Sequence, residues 1–127
     1  MGRSRYKIIE EDKPHFVTCT TVGWTPLFSS LKIVSILFDS LTYLQENERM
    51  SIYAYVIMEN HLHLILSSGK PGKEIGIFKS FTARKIIDFL KERKAHNILK
   101  ILKYFKQMHK QDREYQLWQE GSHPLRV

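Results

Sequence analysis

The stretch Ser51–Ser68, SIYAYVIMENHLHLILSS, decides the fold. Its first eight residues are β-branched, aromatic and aliphatic, which favours a strand. Glu59-Asn60 interrupts the run, and Asn tolerates the positive φ of a tight turn. A second strand, His61 to Ser68, then returns beside the first as a hairpin. Side chains alternate across a strand. Leu62, Leu64 and Leu66 therefore share the core face, and His61 and His63 share the other.

Upstream, His15 to Val22 (HFVTCTTV) is predicted to be a strand and Gly23 to Phe28 (GWTPLF) a loop. Ser29 or Ser30 is placed to cap a helix. That helix runs to about Glu46, with Ile33, Ile36, Leu37, Leu41 and Leu44 at helical spacing. Downstream, Gly69-Lys70-Pro71-Gly72 closes the hairpin. A long helix follows from about Lys73 to Arg93, with Ile75, Phe78, Ile86, Phe89 and Leu90 inward. Another spans about Asn97 to Lys110, with Ile98, Ile101, Leu102, Phe105 and Met108 on one side. Tyr115 to Trp118 is predicted to be a last short strand. The expected fold is α+β, a ferredoxin-like antiparallel sheet with helices packed on one face.

The chain has 127 residues, enough for one domain. Its 43% apolar content, spread along the length, fits a globular chain. The lone Cys19 excludes an internal disulfide and a Cys-rich zinc site, and its apolar surroundings suit a buried inert thiol. No signal core and no membrane-length apolar run is present, so the expected location is cytoplasmic, without membrane attachment. The net charge of +7 favours a polyanionic partner. Residues 79–110 concentrate it: ten Lys or Arg against Asp88 and Glu92, a balance of +8. Lys79, Arg84, Lys85, Lys91, Lys100, Lys103, Lys106 and Lys110 are the candidate DNA contacts. A solvated helix face normally mixes both signs, and this one does not.

Two imidazoles at i and i+2 on a strand stand roughly 7 Å apart and can converge on one divalent cation. Two ligands are too few for a structural zinc site. Open positions suit catalysis, where phosphate oxygens and water complete the shell. The bland reading is two surface histidines on a hairpin. The histidine-triad hydrolase pattern fails because its third alternate position is Ile65. The two-histidine phosphoesterase pattern fails because no histidine here has Ser or Thr two residues on. His15, His96, His109 and His123 are scattered, with surface or loop roles the default.

The run YVIMENHLHLIL resembles the signature strand pair of the histidine-hydrophobic-histidine (HUH) single-tyrosine transposases, in particular the REP-associated tyrosine type. HFVTCTTVGWTPLF, FKSFTARKI and YQLWQEGSHPLRV resemble three further segments of that family, in the same order. The resemblance implies Mg²⁺ or Mn²⁺ on His61 and His63, single-stranded or hairpin DNA as substrate, and a homodimer. It also implies cleavage and strand transfer through a 5′-phosphotyrosine. Family members commonly continue beyond the WQEGSHP-like segment into a helix bearing the nucleophile, so a missing tyrosine segment is expected here. Tyr115 is the remaining candidate, flanked by Gln116 and Gln119 as possible metal donors. The alternatives are a catalytically inactive binder of single-stranded or hairpin DNA derived from such a transposase, and an unrelated basic RNA-binding domain.

Overall fold

The computed structural model describes residues 13–106, 113–121 and 124–126. The elements are β1 (His15–Thr20), α1 (Leu31–Glu46), β2 (Ser51–Ile57), β3 (His61–Ser67), α2 (Pro71–Glu92), α3 (His96–Tyr104) and β4 (Leu125–Arg126). The sheet order is β2-β3-β1-β4, and every pairing is antiparallel. This is the expected α+β sheet, in the strand order that a ferredoxin-like arrangement requires, with a fourth strand of only two residues.

Burial explains why the helices lie on one face. Val17 and Cys19 of β1 and Leu62, Leu64 and Leu66 of β3 are essentially inaccessible. They pack against Leu37 and Leu41 of α1, Phe78 and Ile86 of α2, and Leu102 of α3 in one cluster. Ser30 caps α1, its Oγ accepting from the Ile33 amide. Pro71 begins α2, at a position where its missing amide hydrogen costs nothing.

Several boundaries differ from the sequence reading. β1 ends at Thr20, because Val22–Trp24 turns into a 3-10 segment with Gly23 at φ 60°. Phe105 crowds Gly23 so closely that a Cβ there would clash with its ring. Asn60 does not have positive φ; Trp24, Glu48 and Lys94 do. The 58–61 turn is held instead by the Met58 amide donating to His61 O. α3 ends at Tyr104, whereas Met108, His109 and Lys110 lie outside the described residues. Phe89 is half-buried rather than a full core residue. His15 is buried, not at the surface, and its Nδ1 is 3.0 Å from Lys13 O.

Tyr115 to Trp118 does not form a strand. It makes a single bridge, Trp118 to Thr21, with the Val22 amide donating to Leu117 O and the Gln119 amide to Thr20 O. Side-chain anchoring competes with strand pairing here. Trp118 wedges against Phe28 and Phe78, and its indole donates to Thr82 Oγ1 at 3.1 Å in a fully buried spot. Trp118→Ala should lower stability by about 3–5 kcal/mol in urea unfolding. Trp118→Phe, which keeps the ring packing, should lose only about 1–2 kcal/mol. Equal losses for the two variants would show that the hydrogen bond, not the packing, anchors the segment.

Candidate metal and DNA site

β3 is central in the sheet, so its open face is bounded by β1 and β2. Residues directly opposite across paired strands share a face. The register therefore lays out three rows. Thr20 and His61 form one row, and Thr18, His63 and Val56 the next. Leu125, Phe16, Ile65 and Ala54 form the third. The described helices pack on the other face, and His61 and His63 are half-buried among these neighbours.

The two imidazoles lean together, with ring centroids 4.7 Å apart and planes at 80°. Each has its Nδ1 occupied. His61 Nδ1 donates to Asn60 Oδ1 at 2.7 Å, and His63 Nδ1 is bonded to Thr18 Oγ1 at 3.0 Å. An amide oxygen only accepts, so the proton of a neutral His61 lies on Nδ1 and its Nε2 offers a lone pair. Asn60 is itself oriented: its Nδ2 points to Trp24 O at 3.4 Å, and its backbone O accepts from the Thr21 amide and hydroxyl. A metal-binding histidine needs this arrangement, a second partner that fixes tautomer and ring angle. The sequence reading gave Asn60 only a turn role. The one available signal was an Asx residue preceding the first histidine.

Among the described residues no third His, Cys, Asp or Glu joins the pair. Of the two glutamines, Gln116 is buried with its Nε2 donating to Trp118 O. Gln119 is exposed, and its backbone pairs with Thr20, the register neighbour of His61. Tyr115 is not brought to the histidines. Its ring lies under Lys91 Nζ of α2, at 5.4 Å, in the helical layer. The other described tyrosines also make their contacts elsewhere. Tyr43 lines a hollow between α1 and α2, Tyr53 meets Ser67 Oγ at 2.9 Å, Tyr55 packs edge-on to Phe38, and Tyr104 lies against Phe105.

The candidate cations of α2 and α3 sit in different settings. Lys79 is half-buried; its ammonium donates to Gln119 O at 2.9 Å, and burial lowers its pKa, with Cys19 and Glu120 pulling the other way. Lys79 thus anchors the C-terminal segment. Lys85 lines the α1–α2 hollow of about 1000 Å³ together with residues of both signs, Lys32, Asp39, Arg49, Asp88 and Glu92, and its ammonium lies 5.8 Å from the Phe81 ring centroid. Arg84, Lys91, Lys100 and Lys103 are exposed, and Lys106 is half-buried just beyond α3. Lys110 lies outside the described residues. Linear charge counting does not distinguish these settings, because a helix distributes neighbours around its axis.

No protein-family model and no curated protein matches this chain. Among the described residues, no helix is long and apolar enough to cross a membrane.

Asn60→Ala should weaken Mn²⁺ binding about 10–100-fold in calorimetric titration, with little loss of stability. Unchanged affinity would make Asn60 a turn residue only. Changing Lys100, Lys103 and Lys106 to Ala should weaken single-stranded DNA binding several-fold at low salt and flatten its salt dependence. A slope equal to wild type would assign those lysines to a solvated surface.

Proposed function

We propose that this chain is the metal- and DNA-binding domain of a transposase of the HUH single-tyrosine type, acting on single-stranded or hairpin DNA. The observation that carries the reading is the paired imidazoles: both Nδ1 atoms hydrogen-bonded, on a sheet face that none of the described helices covers. Two such imidazoles suit Mg²⁺ or Mn²⁺, with Gln119 the better placed of the two glutamines as a further donor. A cation there would draw charge from a phosphate oxygen and ease in-line attack on phosphorus. His61 and His63 hold the site, Asn60 and Thr18 set their rings, and exposed Arg84, Lys91, Lys100 and Lys103 raise the local concentration of polyanion from the far layer.

The reaction that the resemblance implies is transfer to a tyrosine. The phenol loses its proton, its oxygen bonds to phosphorus, and the P–O3′ bond breaks to leave a 3′-hydroxyl and a 5′-phosphotyrosine. The covalent link preserves the phosphodiester energy for rejoining. The position of Tyr115 beneath Lys91 favours a second reading for this chain, a metal-dependent binder of single strands that does not itself cleave. A third possible reading, a basic RNA-binding domain, has no use for the orienting bonds on the histidines.

One set of experiments separates these. Mn²⁺ titrated into wild type should give heat that vanishes in the His61→Gln/His63→Gln double variant while circular dichroism is unchanged. Equal heats would remove the metal site. Incubated with hairpin DNA and Mn²⁺, the chain should form no covalent adduct stable to denaturant. An adduct lost in Tyr115→Phe would instead make Tyr115 the nucleophile and the chain a complete enzyme.

A further inference from the structure

The rows of the open face change character along β1. The histidine rows are mainly polar, with Thr18, Thr20, His61 and His63 beside one exposed apolar residue, Val56. The next row is wholly apolar, with Leu125, Phe16, Ile65 and Ala54 side by side across all four strands. Phe16 stands 38% exposed, and its ring is stacked on that of His63, centroids 5.4 Å apart and planes 16° from parallel. Three rings thus run in series, from Phe16 to His63 to His61. β1, β2 and β3 contain no Asp, Glu, Lys or Arg. No carboxylate within the strands opposes a phosphate there.

We infer that Phe16 is a stacking platform for one base of a single-stranded nucleic acid whose adjacent phosphate lies at His61 and His63. The inference rests on the reading of that pair as a phosphate-directed metal site. A nucleotide has an apolar, flat base and a charged phosphate one backbone unit away, and the face offers the matching pair in the matching order. Every base has a π-face, so such a platform tolerates any sequence. A second copy of this chain fits less well. Protein interfaces put apolar residues at the centre and polar ones at the rim, whereas here the apolar row runs from one edge of the sheet to the other, with the polar rows on one side of it at the hairpin end. A duplex fits no better, because its bases are already stacked.

The test uses the whole chain, Mn²⁺ and a fluorescent oligodeoxythymidylate of about a dozen nucleotides, beside a strand of equal length with abasic sugars at its centre. Wild type should bind the abasic strand roughly 5–100-fold more weakly. Phe16→Leu should lose a similar factor on the normal strand and almost none on the abasic one, so the two changes are not additive. Equal affinity of wild type for both strands overturns the platform without any variant. So does a Phe16→Leu protein that binds the normal strand as wild type does, or one whose only change is dissociation of a dimer. The metal reading is judged separately by Mn²⁺ heat. Base- and Phe16-dependent binding with no Mn²⁺ heat sinks the metal site and keeps the platform. Mn²⁺ heat with base-independent binding does the reverse.

Discussion

Leu62, Leu64 and Leu66 of β3 are all but inaccessible, and a strand has only two faces. Burying three leucines fixes where His61 and His63 go. Each fully buried leucine contributes about 1.5–3 kcal/mol relative to exposure. A one-residue slip of β3 would put the imidazoles in the core and the leucines in water, forfeiting all three contributions at once. The register with β1 on one side and β2 on the other follows from this constraint. So does the presence of Thr18 beside His63.

The site is completed by groups that come from turns. Asn60 closes the β2–β3 hairpin, and its carbonyl ties that hairpin to Thr21 at the end of β1. Its side chain then reaches His61. One residue therefore links the strand ends and the ring angle of a candidate ligand, so the turn and the site share their geometry. Glu59 adds a further tie, its carbonyl accepting from the Phe28 amide just before α1.

The C-terminal segment is held by packing rather than by sheet pairing. Trp118 fills the space between Phe28 and Phe78, Lys79 reaches the Gln119 carbonyl, and Tyr115 stays in the helical layer. These anchors run the segment along the outer edge of β1. They bring Gln119 beside Thr20 and leave Tyr115 on the side away from the histidines. Charge follows the same division. The cationic helices occupy one layer, and β1, β2 and β3, which carry no Asp, Glu, Lys or Arg, present the other. Any polyanion on the histidine face feels those lysines as a field rather than as contacts.

The sequence by itself determined the strand–helix order, the helix layer on one side, and the shared face of His61 and His63. All of these depend on periodicity and burial, which are properties of neighbours in the chain. Only the tertiary structure decided what touches the imidazoles. Thr18 lies far away in sequence and meets His63 through strand register. Phe16 reaches the same ring along a diagonal. The settings of the lysines, with Lys79 half-buried and Lys85 at a hollow lined by both signs, also depend on what packs beside each helix. The failure of Tyr115 to Trp118 to become a strand has the same origin. An indole buried against Thr82 outweighs the local preference for extended pairing, and no local pattern encodes a partner across the core.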